Sequence, residues 1–271
     1  MYASELHMNG RTDKYMGRKE AKNDPDYIPD ARIEGRNSVI EAYRSGRTID
    51  KLFVQEGLHD GPVNTVLREA KKAGTIINYV TKERLNEMSE TGHHQGVIAQ
   101  AAAFEYAEVE DILKKAEEAG EPPFIIVLDG IQDPHNLGAI IRTACLAGAH
   151  GVIIQKRRAA GLTPVAVRAS AGAVNYVPVA RVVNIGATID KLKEKGIWFV
   201  CADRGGKVMY DLDLKGPIGL VVGSEGEGAG RLVKEKCDFT AAIPMKGAID
   251  SLNASVAAGV LMYEIVRQRG I

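Results

Sequence analysis

The sequence predicts an α/β protein built in two units, and three observations carry that expectation. From Phe124 onward, continuous apolar runs such as FIIVL and IGLVV alternate with stretches of helical periodicity. Strands of that kind form a mostly parallel sheet covered by helices on both faces. Before them, residues 31–104 alternate helix and strand on a smaller scale, and a Glu/Lys-rich stretch closed by Pro122-Pro123 separates the two regions. The expected division is a tail over 1–30, a small α/β domain over 31–104, a linker over 105–123 and a larger α/β domain over 124–271.

The elements follow in order. The first 30 residues are polar, charged and end in prolines; they read as a mobile tail, and without an apolar core they are no secretory signal. A helix is expected over Asn37–Arg44 with Asn37 or Ser38 as its cap, then the strand KLFV. An amphipathic helix over Val63–Lys72 stops at Gly74. The strand Ile76–Val80, the helix Thr81–Met88 and the strand Val97–Ala101 complete the first unit, and Ala107–Gly120 is a helical connector. The second unit begins with the strand FIIVLDG, a helix over Leu137–Ala149 and the strand GVII. Helices over Val165–Ala171 and Ile185–Lys195 precede the strands IWFVCA and IGLVV. A helix over Ala229–Lys236, the strand FTAAIPM and a long final helix end the chain. A two-domain chain of this kind, if flexible at the connector, suits a folded partner.

Composition narrows the function. Lys and Arg total 35 and Asp and Glu total 35, so no global field marks a polyanion-binding protein. The distribution is uneven: Pro134–Ile189 has no acid but holds Arg142, Lys156, Arg157, Arg158, Arg168 and Arg181. That span is either a positive surface suited to a polyanion or a core segment that happens to lack acids. Cys145, Cys201 and Cys237 are far apart and odd in number, which suits a reducing cytoplasm rather than a disulfide framework. No CxxC or HxxH spacing offers a metal site, and His93-His94 read as two surface histidines. No run of about 18 apolar residues predicts a membrane span.

Ligands of open α/β sheets bind beyond the carboxyl ends of the strands. Three polar clusters follow strands directly: DGIQDPHN at 129–136, GSEGEG at 223–228 and DSLNAS at 250–255. GSEGEGAG matches neither the dinucleotide fingerprint nor the P-loop, and no lysine follows it. Its glycines permit close approach to a flat ligand, and its glutamate suits a cation or hydroxyl. The plainer alternative is a strand-to-helix turn with an exposed acid. Ser251 is placed to cap the last helix. Asn253 then falls one turn inside, where asparagine has poor propensity, so its amide is expected to bond something outside the helix.

Taken together, DPHNLGAIIRTA, GSEGEG and IPMKGAIDSLNAS resemble the three motifs of the SpoU (TrmH-type) family, RNA ribose 2'-O-methyltransferases that use S-adenosylmethionine. The resemblance spans Phe124–Arg269, while GRNSVIEAYRSGR and HHQGV are similar to the family's small RNA substrate-binding domain. It departs at Ala254, where valine is more usual, and at Cys145-Leu146; neither is a polar motif residue. The resemblance implies a deep trefoil knot and a homodimer through the knotted domains, with the site near the interface. It implies a cofactor pocket from Leu220, Gly223, Gly226, Ile243, Pro244, Met245 and Leu252. The implied active site comprises Asn136, Arg142, Glu225, Ser251 and Asn253. Asn136 is expected to brace its loop and Glu225 to hold Arg142 or a neighbouring donor. Arg142 is open to three readings: a base working through an RNA phosphate, an electrostatic and positioning group, or a surface residue. His135 is a weaker candidate base. Arg157 and Arg158, with Arg32, Arg36, Arg44 and Arg47 of the first unit, are expected to meet RNA phosphates. The extra domain points to ribosomal RNA, with a guanosine of the large subunit as the leading target. The alternatives are tRNA, an antibiotic-resistance rRNA methylation, a non-catalytic RNA-binding assembly factor, or an enzyme acting on a small nucleotide.

Overall fold

The structure, a computed structural model, describes residues 32–247 and 251–270. The expected tail over 1–30 lies outside the described residues, as do residues 248–250 of the third motif.

The first unit is a four-stranded sheet in the order β1 (Arg32–Glu34), β4 (Val97–Ala101), β2 (Ile49–Gln55), β3 (Ile76–Val80). β2 and β3 run parallel and the other pairs antiparallel. Helices α1 (Arg36–Arg44) and α2 (Gly61–Lys72) bury Val39, Ile40, Val63, Val66 and Ala70 against Leu52, Val54, Val97 and Ala99. Asp60 starts α2 by accepting from Val63 N at 3.0 Å, and Thr81 caps α3 (Lys82–Met88) in the same way. The expected cap of α1 is corrected. The N-cap is Gly35 at φ 87°, so the turn is made by a residue free to adopt that angle rather than by a side chain at Asn37 or Ser38.

The second unit is a six-stranded, all-parallel sheet. Its order is β10 (Phe239–Ala242), β8 (Trp198–Val208), β9 (Ile218–Gly223), β5 (Phe124–Asp129), β6 (Gly151–Gln155), β7 (Val179–Val182). Both faces are dry, which is why its strands read as unbroken apolar runs. Ile126, Leu128, Val152, Leu220 and Val222 point to the face covered by α5 (Pro134–Leu146), α6 (Pro164–Ala169) and α9 (Ala254–Arg269). Ile125, Val127, Ile153, Phe199 and Val221 point to the other, covered by α4 (Val109–Ala119), α7 (Ile185–Lys193) and α8 (Arg231–Lys236). The connector helix is therefore α4, which packs on this sheet. Ile112 is fully buried, and a Cβ on Gly151 would come within 2.4 Å of it.

Three boundaries near the site differ from the sequence reading. Helix α5 begins at Pro134, because Asp133 accepts from His135 N at 2.9 Å and proline suits the first helical position. That places Asn136 inside the first turn. Strand β8 continues past Ala202: β10 pairs with Val200 and Cys201, then skips to Lys207 and Val208, so the residues between bulge out. Strand β10 stops at Ala242, leaving Ile243–Met245 outside the sheet. Strand β7, only VARV, gave too short a signal to be read in advance.

Candidate active site

Three loops meet at the carboxyl ends of β5, β9 and β10. The middle one folds on itself: Ser224 N donates to Gly228 O at 3.1 Å and Gly228 N to Ser224 O at 3.0 Å. Gly226 (φ 87°) and Gly228 (φ 72°) supply the reversal. At Gly223 the backbone passes so close that a Cβ would lie 1.9 Å from Ala229 N. This hairpin holds Glu225 at its tip.

Glu225 Oε1 accepts from Asn136 Nδ2 (2.9 Å), Asn253 Nδ2 (2.6 Å) and Ala254 N (3.3 Å). Asn253 Nδ2 also donates to Asn136 Oδ1 at 3.0 Å. One residue from each motif thus enters a single hydrogen-bonded cluster. The acid's partners are the two amides, so of the two expectations for Glu225 the neighbouring donor is the one realised. Asn253 Oδ1 accepts from Ser255 N (2.9 Å) and Val256 N (3.3 Å), capping α9. This corrects the sequence reading: the helix starts at Ala254, Asn253 is its cap, and Ser251 is exposed outside it. Asparagine caps as well as serine, so propensity alone did not separate them. Below the cluster, buried Asp129 accepts from Gly230 N (2.8 Å) and Gln155 Nε2 (2.7 Å), fastening the start of α8 to β5 and β6.

Beside the cluster opens a cavity of about 380 Å³, within the usual ligand-site range. Val222, Ala241, Ile243 and Leu261 make apolar walls, the 223–228 hairpin supplies backbone, and Met245, Ser251 and Leu252 form a rim. Of the residues expected to hold the cofactor, Gly223, Gly226, Ile243, Met245 and Leu252 line this cavity. Leu220, fully buried within β9, and Pro244, which is exposed, are not among the lining residues. The sequence reading missed Ala202–Gly205, the bulge of β8, which forms the opposite wall. The signal was present, since DRGG is a fourth polar cluster directly after a strand. There Asp203 bonds Lys234 Nζ at 2.6 Å, and that bond, against the opposing effect of burial, holds its carboxyl below the usual range. Apolar walls on one side, a bare glycine backbone and polar groups that include Asp203, Ser224, Glu225 and Ser251 fit an adenosine-sized ligand such as S-adenosylmethionine.

The remaining predicted residues are dispersed. Arg142 is exposed on α5, outside the cavity lining, and makes no hydrogen bond or ion pair with a described residue. His135 is exposed. Arg157 and Arg158 are exposed on the loop after β6. Arg32 bonds Met88 O (2.6 Å) and Glu90 (2.9 Å), and Arg36 bonds Gln95 O (2.9 Å) and Asp60 (2.8 Å). Arg44 pairs with Glu41, and Arg47 is half-buried in the turn before β2. His94 is not a surface residue: it is buried, accepts from Gly96 N at Nδ1 (3.0 Å) and meets Asn86 Oδ1 at Nε2 (2.9 Å).

A parallel α/β sheet with a glycine hairpin and an asparagine–glutamate cluster at its carboxyl edge is preceded by a small mixed-sheet unit, and comparison with known proteins places this arrangement among RNA methyltransferases. The SpoU rRNA methylase family matches residues 123–263, and the domain described as RNA 2'-O ribose methyltransferase substrate binding matches 32–107. The chain belongs to the SpoU family. YacO of Bacillus subtilis (strain 168), named for the TrmH family of tRNA/rRNA methyltransferases, is 52% identical over 238 residues, covering 88% of this chain and 95% of that one. A protein of Staphylococcus haemolyticus named for the same family is 45% identical over 243 residues, 89% of this chain and 97% of its own. Among solved structures, the SpoU methyltransferase AviRb from Streptomyces viridochromogenes in complex with AdoMet aligns at TM-score 0.57 and 25% identity, over 94% of this chain and 98% of that one. The AdoMet-bound rRNA methyltransferase from Sinorhizobium meliloti aligns at TM-score 0.56 and 26% identity, over 97% of each chain.

Proposed function

We propose that this protein transfers a methyl group from S-adenosylmethionine to a ribose 2'-hydroxyl of structured RNA, with a guanosine of large-subunit ribosomal RNA as its target. The observation that carries the reading is the Asn136–Glu225–Asn253 cluster bordering an adenosine-sized cavity while Arg142 has no partner among the described residues. The substrate-binding domain and the rRNA methylase family description support the ribosomal assignment.

When bound, the donor supplies an electrophilic methyl group on a sulfonium. The chain's own work is then mainly positioning. The 223–228 hairpin, Ile243 and Met245 would hold the adenosine. Glu225 Oε1 already takes three donors, so its task is to fix the starts of α5 and α9 rather than to carry a proton. Ser251 sits on the rim, within reach of an incoming nucleotide. Arg142 acts as a cation: it holds an RNA phosphate, through whose oxygen the 2'-hydroxyl proton passes to solvent as the methyl group is transferred, and it stabilises the oxyanion that develops on O2'.

In this reading residues 31–104 grip RNA, 105–123 link the units and 124–271 carry the reaction in a sheet threaded as a trefoil knot. Arg142 shares a face of α5 with exposed Leu146, and α9 displays Val256 and Tyr263. These faces suit a homodimer whose interface borders the site. A reducing cytoplasm suits the three free cysteines.

The test uses the purified protein, labelled S-adenosylmethionine and total RNA from cells lacking the gene, with the modified nucleotide located by nuclease mapping and mass spectrometry. Label on one ribose of large-subunit rRNA is the expected result. Label on tRNA keeps the chemistry and overturns the substrate; label on a base overturns the reaction.

A further inference from the structure

The sequence leaves the two units free to bend at their connector; the structure ties them together. Asp50 of β2 is 7% exposed. Its Oδ1 pairs with Arg181 Nη1 of β7, and its Oδ2 accepts from Tyr106 Oη at 3.2 Å. The Arg181 guanidinium lies 4.2 Å over the Tyr106 ring, and Tyr106 Oη accepts from Leu162 N at 2.8 Å. Backbone bonds flank this junction: Ala103 N to Leu162 O (2.8 Å) and Ala107 N to Val179 O (2.9 Å). Gly161 closes it, since a Cβ there would fall 2.6 Å from Asp50 Oδ2 and 2.8 Å from Tyr106 Oη.

Exposed ion pairs hold structures together weakly, but a buried pair that loses one member leaves an uncompensated charge. The side chains of Arg181 and Asp50 are only 13% and 9% exposed. The junction also reaches the reaction site. Ala160 N, on the loop that seats Asp50, donates to Ile131 O at 2.7 Å in the first motif loop. Gln155, at the head of the same loop, bonds the Asp129 that holds Gly230. A shift of the first unit would therefore strain two of the loops that surround the cavity.

We infer that Asp50, Tyr106 and Arg181 are positioning residues: they fix the RNA-gripping unit at a set distance from the methyl-transfer cavity and so decide which ribose is presented. The inference rests on reading the first unit as the RNA grip.

The test compares wild type with Asp50→Asn and Tyr106→Phe, which keep size and remove a charge or a hydroxyl. Three quantities are read: hydrogen exchange at the amides of Ala103, Ala107 and Leu162, steady-state kinetics with RNA, and the mapped position of the methyl label. Faster exchange, a KM for RNA raised about tenfold with kcat nearly unchanged, and label spread to neighbouring riboses are expected. Donor affinity should fall by much less than the KM for RNA rises, because neither residue touches the cavity and the junction reaches it only through the two loops. Unchanged exchange, or faster exchange with unaltered KM and a single labelled ribose, overturns the inference. If Asp50→Asn does not fold, Tyr106→Phe carries the same comparison. A wild-type enzyme that labels no ribose contradicts the proposed reaction instead, and unprotected amides at the junction in that protein would still overturn the rigid fastening.

Discussion

Asn253 Nδ2 donates to Glu225 Oε1 at 2.6 Å while its Oδ1 caps α9, so one amide joins the start of the last helix to the tip of the glycine hairpin. Stability and geometry of the site are thereby coupled, and the coupling can be separated by substitution. Asn253→Ala should lower stability by about 1–2 kcal/mol through the lost cap and hydrogen bonds. Asn253→Ser should restore most of that stability, because serine caps well, yet it should not restore turnover, because it cannot bridge Glu225 and Asn136. Chemical denaturation and methyl transfer measured side by side check this.

Gly223→Ala tests the close approach within the hairpin. The added Cβ would fall 1.9 Å from Ala229 N, a backbone atom that cannot step aside. A cost of about 1–3 kcal/mol and a marked loss of donor affinity by calorimetry are expected. Gly216→Ala, with nothing within 4 Å of the new Cβ, is the matched control and should change stability by less than about 0.5 kcal/mol.

These two positions also mark how far the sequence could be read. The parallel sheet was legible because buried strands lose their polar alternation, and the three motif loops because each breaks an apolar run. The meeting of Asn136, Glu225 and Asn253, residues 117 apart at the extremes, depends on strand order, which no local pattern encodes. The shift of the cap from Ser251 to Asn253 was illegible for a different reason: both side chains can cap, and tertiary bonds to Glu225 decide between them. The Ala202–Gly205 wall was missed because β8 seemed to end at Ala202, whereas the edge strand β10 re-pairs with it beyond the bulge. Arg32 and Arg36 looked like free cations because their partners, Glu90 and Asp60, lie well away in sequence.

Glu34 gives a pH dependence. Burial pushes its carboxyl up, but bonds from Ser89 Oγ (2.6 Å), Thr91 Oγ1 (2.5 Å) and the amides of Glu90 and Thr91 outweigh this and bring it from 4.5 down to about 2. With the folded value depressed, its stabilisation is complete above the unfolded value near 4.5 and fades as pH falls towards 2. Because the carboxyl is partly open to solvent, which screens these bonds, Glu34→Gln should cost only about 1 kcal/mol at pH 7. The gap between variant and wild type should close across that acid window in denaturant titrations at successive pH values.

Asp203→Asn weakens the bond to Lys234 at the cavity wall supplied by β8. Because Lys234 is well exposed, the stability change should stay below about 1 kcal/mol. Donor affinity should fall several-fold as the 202–205 bulge loosens, while the KM for RNA stays near the wild-type value. Calorimetry with the donor, alongside RNA kinetics, separates the two.

In the proposed mechanism Arg142, exposed and without a partner among the described residues, is reserved for RNA and for the charge that develops on the ribose oxygen. Single-turnover methyl transfer by Arg142→Ala, with its melting temperature and donor affinity measured on the same sample, tests it most directly. A melting temperature and donor affinity like those of wild type are expected, with a rate lower by about two to three orders of magnitude, as when one stabilising donor is removed from a transition state. Near-normal turnover by a folded, donor-binding Arg142→Ala would contradict it.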